Sequence, residues 1–327
     1  MHTVEQIIVI GSGNWGLALA SLFAARLPTR VWTIDSALAE TINASRDNPG
    51  AFYGYPIPAS VVIEAKYASP FDQDTTLIIL AVPSSQIAGV AAELAAKADC
   101  PLVLTVAKGY DAERLCTMST LIKTEIPGAV VVVLTGPTIA NEVAEGKPTR
   151  AVLASENLLQ LAHVKEALAN DVISFEVSRN PVHHEVCAAL KGIVAIAVGM
   201  ADGLDLGANV QGILMTQGIR EMADVASFFD IPESVAYGIS GAGDLIATCI
   251  SPDSRNRRLG QVLAGGLSLA EALNHVGMTV EGVAVSQTIE TLWALDVSIP
   301  LFHMVNGILQ GRAVDIQQEM ASLIKRL

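Results

Sequence analysis

A lysine in the middle of an apolar run is the residue best placed to do chemistry in this chain. Lys191 falls within Ala188-Ala-Leu-Lys-Gly-Ile-Val-Ala-Ile196. Burying an ammonium among such neighbours lowers its pKa toward the range where it can give up and regain a proton. A lysine on a narrow solvated stripe of the same helix is the other reading, and the pattern carries both. Lys108, in Val106-Ala-Lys-Gly109, puts a second cation at the C-terminal end of a strand-like run. Gly136-Pro-Thr-Ile-Ala-Asn-Glu142 is a glycine turn entering a short helix after another strand-like run. Farther on, small residues flank Asp244 in Gly241-Ala-Gly-Asp-Leu245, so its carboxylate can approach another group closely. Ser254-Arg-Asn-Arg257 supplies a guanidinium fork with polar donors, suited to a phosphate. Arg255, Arg257 and Arg258 also fit a solvated helix face.

At the N-terminus, Ile7 to Ile10 run into Gly11-Ser12-Gly13-Asn14-Trp15-Gly16 and then an Ala/Leu-rich stretch. This is G-x-G-x-x-G in its strand, turn and helix context, the fingerprint of a dinucleotide site. Gly11 allows the tight turn, Gly13 lets a pyrophosphate approach the backbone, and Gly16 lets helix and strand pack closely. A strand-like run, Arg30 to Ile34, ends at Asp35, 24 positions after Gly11. An acid there can accept hydrogen bonds from ribose hydroxyls and repel a 2′-phosphate, which favours NAD over NADP. Asp35-Ser36 is equally a good helix N-cap.

The elements that must carry these residues divide the chain in two. Strand-like runs at Gln6–Ile10, Arg30–Ile34, 75–82, Leu102–Ala107, Val130–Thr135, Arg150–Ala154 and Ile173–Val177 alternate with helical patterns at Trp15–Arg26, Ser84–Lys97 and Leu158–Leu168. Continuous apolar strands separated by helices predict a doubly wound, mostly parallel α/β (Rossmann-type) domain over residues 1–178. Pro181 suits the first turn of a new helix, and from there only helical periodicity is seen. An all-α domain is expected over 179–327, with its Ala and Gly suited to close helix packing or a homodimer.

The 20 Lys and Arg stand against 33 Asp and Glu, a net charge of −13, which disfavours nucleic acid and anionic lipid as partners. With 51% hydrophobic and 16% charged residues the chain is not a disordered one. The longest apolar stretch, Val186 to Met200, is short for a membrane span and contains Lys191. Neither a signal peptide nor a metal-type Cys spacing is read, so a cytoplasmic protein with Cys100, Cys116, Cys187 and Cys249 as buried free thiols, and no metal, is expected.

In order along the chain, these motifs resemble the NAD(P)-dependent sn-glycerol-3-phosphate dehydrogenases of the bacterial type. The carriers are Gly11-Ser-Gly-Asn-Trp-Gly16, Val106-Ala-Lys-Gly109, Gly136-Pro-Thr-Ile-Ala-Asn-Glu142, Ala188-Ala-Leu-Lys191, Gly241-Ala-Gly-Asp-Leu245 with Thr248-Cys249, Ser254-Arg-Asn-Arg257 and Val280-Glu-Gly282. The resemblance implies hydride transfer between NAD(P)H and C2 of dihydroxyacetone phosphate, giving sn-glycerol 3-phosphate for glycerophospholipid supply. It implies Lys191 as proton donor and acceptor, Lys108 polarising the carbonyl, and Asp244 with Thr248 orienting Lys191. It also implies that Lys108, Gly136, Thr138, Lys191, Asp244, Ser254, Arg255 and Asn256 meet substrate. Ser12, Asn14, Trp15, Lys108, Ala140, Arg255, Val280 and Glu281 would join the loop glycines and Asp35 around the cofactor.

Three places depart from that family pattern. Gly192 stands where an Asn usually follows the lysine, Gln217 where an Arg is usual, and Asn48 to Pro58 matches only loosely. These leave two other readings: a paralogue acting on a different phosphorylated or carboxylated ketone, and a dinucleotide-binding protein without turnover.

Overall fold

The computed structural model describes residues 2–48, 50–52, 54–293, 298–312 and 315–327, and the chain divides into two compact units. The first comprises Met1–Ala107 and Met118–Val182; the second comprises Lys108–Thr117 and His183–Leu327.

The strands, in chain order, are β1 (Gln6–Ile10), β2 (Thr29–Thr33), β3 (Val61–Ala65), β4 (Thr76–Leu80), β5 (Leu102–Thr105), β6 (Tyr110–Asp111), β7 (Cys116–Thr117), β8 (Val130–Thr135), β9 (Thr149–Ala154) and β10 (Ile173–Ser178). Eight of them form one sheet in the order β10-β9-β8-β5-β4-β1-β2-β3. From β3 to β8 every neighbouring pair is parallel, in the doubly wound order that reverses direction between β1 and β4. β9 runs antiparallel to β8 and β10 parallel to β9, so one edge of the sheet is reversed. The central strands read as continuous apolar runs because both faces are covered: Ile7, Val9, Ile79, Leu104 and Val132 are fully buried in the first unit's core.

The seven expected strands are present within two residues at each end. β3 and the small β6–β7 hairpin are additions, and the hairpin belongs to the second unit, which otherwise consists of helices. The helix Pro181–Gly203 is its axis, contributing Ile193, Val194 and Ile196 to a core completed by Leu259, Phe302 and Leu323. Glycines permit this packing: a Cβ at Gly199 would lie 2.0 Å from the Arg257 carbonyl oxygen, and one at Gly260 would lie 2.1 Å from that of Ile196. The Ala/Gly richness is therefore used within the unit.

The helix is longer than the apolar run read from sequence and, by length and composition alone, could cross a membrane. It is a core helix, with 89% of its most apolar window buried by protein. All four cysteines are free, but only Cys187 and Cys249 are buried; Cys100 is exposed and Cys116 half-buried, because they sit at a strand approach and in the hairpin rather than in a core.

Candidate active site

In the second unit three charged side chains meet. Lys191 projects from the middle of Pro181–Gly203, where burial on all sides leaves it 7% exposed. The solvated-stripe reading is thereby excluded. Asp244 opens the helix Asp244–Ile250, directly after a π-helical turn, Ile239–Gly243, closed by the Gly243 amide donating to the Gly238 carbonyl at 3.1 Å. Its Oδ1 pairs with the Lys191 ammonium, and its Oδ2 with the Lys108 ammonium at 2.9 Å. Thr248, one turn on, accepts from Lys191 Nζ at 3.0 Å and donates to the Asp244 carbonyl oxygen at 2.6 Å.

One carboxylate thus holds two ammoniums. Burial lowers the Lys191 pKa from 10.5 to about 7; Asp244 opposes that effect and the nearby Lys108 cation reinforces it. The result is an amine that exchanges a proton near neutrality, close to a second lysine.

Beside this cluster the helix Arg255–Ala264 starts at Ser254, whose Oγ caps it by accepting from the Arg257 amide at 3.2 Å. Arg255 opens that helix as an exposed residue; desolvation by its neighbours lowers its pKa and the Glu281 carboxylate opposes that shift. The Asn256 carboxamide oxygen accepts from the Gly282 amide at 3.0 Å. Gly192 belongs to the same contact, since a Cβ there would lie 2.9 Å from Gly282 Cα and 3.4 Å from Asn256 Nδ2. Gly192 therefore admits the N-terminus of Glu281–Trp293 against the lysine-bearing helix. Arg257 is not on a solvated face: its Nη2 donates to Asp202 Oδ2 at 2.7 Å. Gln217 donates to Glu221 Oε1 at 2.9 Å, inside the helical core. Val280 is likewise buried, its apolar side chain packed in that core.

The first unit holds a separate cavity of about 430 Å³ at the C-terminal ends of β1, β2 and β4, lined in part by Gly11, Ser12, Gly13, Thr33 and Ile34. Gly11 has φ +117°, and a Cβ there would strike the Ala81 carbonyl; one at Gly16 would lie 2.1 Å from the Gly11 carbonyl oxygen. Around the Gly13 Cβ position nothing lies within 4 Å, leaving room for a ligand to reach the backbone. Gly13 also N-caps the helix Asn14–Phe23 without a side-chain cap, so its first amides suit a pyrophosphate. The residues present fit a dinucleotide.

Other expected cofactor residues are placed less directly. The Asn14 carboxamide oxygen accepts from the Phe52 amide, and the Trp15 ring packs on the first core with its Nε1 buried. Asp35 Oδ1 accepts from the Ala37 and Leu38 amides at 2.9 and 3.1 Å, which is the N-cap role, and Asp35 does not line the cavity. Gly136 has φ +126° and its carbonyl accepts from Thr138 Oγ1 at 3.1 Å, just before Ala140 opens a short helix. The cavity's charged lining residues, Lys66 and Glu93, escaped sequence reading; the signal was the β-branched Val61–Ala65 run immediately before Lys66. Among the described residues no His, Cys, Asp and Glu group is arranged to hold a metal ion.

Comparison with known proteins accounts for both constellations. Residues 6–161 match the N-terminal part, and residues 180–320 the C-terminal part, of the NAD-dependent glycerol-3-phosphate dehydrogenases. The chain is 34% identical over 309 residues to glycerol-3-phosphate dehydrogenase [NAD(P)+] of Fusobacterium nucleatum, covering 93% of this chain and 92% of that one. The chain belongs to the NAD-dependent glycerol-3-phosphate dehydrogenase family. The enzyme of the same name from Methylibium petroleiphilum is 35% identical over 316 residues, covering 95% and 94% of the two chains. The crystal structure of glycerol-3-phosphate dehydrogenase from Coxiella burnetii superposes with a TM-score of 0.91 at 30% identity, covering 98% of this chain and 99% of that one. The glycerol-3-phosphate dehydrogenase family therefore accounts for the parallel-sheet unit and the helical unit together.

Proposed function

We propose that the chain is an NAD(P)-dependent glycerol-3-phosphate dehydrogenase that interconverts dihydroxyacetone phosphate and sn-glycerol 3-phosphate, acting in the cytoplasm. The observation that carries this is the Lys191–Asp244–Lys108 cluster in a chain of this family. The first unit serves the dinucleotide, through the glycine loop and the helix end after it, and the second unit, to which Lys108 belongs, supplies the lysine cluster for the phosphorylated substrate.

A bound nicotinamide supplies or accepts the hydride at C2. The protein's own work is at the oxygen on that carbon. As the carbonyl becomes an alkoxide, the charge needs a cation and then a proton. Lys191, with its pKa near 7, gives that proton in reduction and takes it back in oxidation. Lys108, paired with the other oxygen of Asp244, polarises the carbonyl. Asp244 holds both ammoniums on one side of the cluster, and Thr248, accepting from Lys191, fixes the direction in which the remaining Nζ protons point. Arg255, Ser254 and Asn256 supply donors for the substrate phosphate, the guanidinium being supported in place by Glu281. Gly136 and Thr138 are assigned to substrate, and Ala140 and Glu281 to cofactor, on the family resemblance.

The test is turnover. Purified protein with dihydroxyacetone phosphate and either NADH or NADPH should yield sn-glycerol 3-phosphate. Turnover with another ketone phosphate or keto acid but not with dihydroxyacetone phosphate would favour the paralogue reading, for which Gly192 and Gln217 are the distinguishing residues.

A further inference from the structure

The dinucleotide cavity of the first unit contains a charge pair that hydride chemistry does not use. Lys66 follows β3, and its backbone amide donates to the Thr33 carbonyl at 2.8 Å. This fixes it beside the end of β2, where dinucleotide folds distinguish a free ribose 2′-hydroxyl from a 2′-phosphate. Lys66 and Glu93 are the two charged residues among those lining the cavity, and they are ion-paired. The lysine side chain is 14% exposed and lies 5.4 Å from the Tyr67 ring centroid, whereas the carboxylate, from the helix Ser84–Ala95, is 52% exposed. Asp35, the acid that sequence position nominates for this selection, caps a helix through Oδ1 and is not among the residues that line the cavity. Ile34, 82% exposed, adds only apolar surface to the cavity rim.

We propose that the Lys66–Glu93 pair, rather than Asp35, sets the choice between NADH and NADPH. Lys66 is the cation available to a 2′-phosphate. Glu93 neutralises Lys66 in the resting state, so that its attraction for the phosphate is held down and a nucleotide with a free 2′-hydroxyl is not excluded. A phosphate dianion competes with Glu93 for the three ammonium donors, and the displaced carboxylate, half in water already, loses little.

This inference rests on the dinucleotide reading of the cavity, and binding separates the two. Dissociation constants for NADH, NADPH, adenosine 5′-monophosphate and adenosine 2′,5′-bisphosphate would be measured by titration calorimetry on the wild type, Glu93→Gln and Lys66→Met. Glu93→Gln should tighten NADPH and the bisphosphate about tenfold and leave NADH and the monophosphate within about twofold. Lys66→Met should weaken the two 2′-phosphorylated ligands about tenfold and spare the others. If NADH binds the wild type and the NADPH to NADH ratio is the same in all three proteins, the selectivity role is overturned while the dinucleotide reading stands. If no nucleotide binds the wild type, both are overturned.

Discussion

Lys191 and Asp244 form an ion pair almost out of reach of water, with side chains 9% and 3% exposed. Such a pair does little for stability when intact but costs about 3–5 kcal/mol when one member is removed, because the other charge is stranded. In Asp244→Asn nothing would oppose the burial and the Lys108 charge that lower the Lys191 pKa, so Lys191 would lose its proton and Lys108 its carboxylate partner. This variant should lose activity and also unfold at markedly lower temperature, measured by calorimetry with the wild type alongside. An unchanged midpoint would mean that the two lysines are satisfied elsewhere.

The lowered pKa of Lys191 makes the two reaction directions respond oppositely to pH. Ketone reduction needs the ammonium and should decline as pH rises through about 7, whereas alcohol oxidation needs the free amine and should increase over the same interval. The profiles of kcat in each direction, measured with saturating nucleotide, check this. Stability carries the same signature: the folded-state pKa lies below the unfolded 10.5, so the folded protein binds fewer protons and stability rises with pH between about 7 and 10.5.

Thr248 acts through Lys191. Thr248→Val keeps the shape and removes the acceptor 3.0 Å from Nζ, so kcat should fall about tenfold, corresponding to about 1.4 kcal/mol, with KM little changed. Thr248→Ser should restore most of the rate. A rise in KM alone would instead assign Thr248 to substrate binding.

Glu221 is a fully buried carboxylate that accepts from the Leu301 and Phe302 amides at 2.7 and 2.9 Å, capping the helix Pro300–Leu309. Burial raises its pKa from 4.5 to about 7, the Gln217 and backbone hydrogen bonds opposing the shift. The folded state therefore binds more protons between about 4.5 and 7, and stability should fall as pH rises through that window. The contribution is about 3 kcal/mol. Glu221→Gln should flatten the slope of unfolding free energy against pH there, whatever its effect on absolute stability; an undiminished slope would place the titration on another group.

Much of the fold was legible because buried parallel strands are continuous apolar runs, and β1, β4 and β8 announce themselves as such. β3 did not, since Val61–Ala65 lies at the sheet edge with exposed Val62 and half-buried Glu64, a mixed pattern. Nor could composition reveal that β9 reverses against β8, because strand direction depends on pairing rather than side chains. At the lysine cluster the sequence nominated Lys191, Lys108, Asp244 and Thr248, and the structure joins all four. At Asp35 the sequence offered a ribose acceptor and a helix N-cap; the structure shows the cap, made through Oδ1, and a position at the end of β2 suits either role.

The central claim is that Lys191 carries the proton for hydride transfer at C2. Its most direct test is dihydroxyacetone phosphate turnover by Lys191→Met, measured together with nucleotide affinity on the same preparation. The account predicts a loss of kcat of about 10²- to 10⁴-fold with NADH affinity unchanged. A variant that binds NADH normally and still reduces dihydroxyacetone phosphate at near the wild-type rate would contradict it.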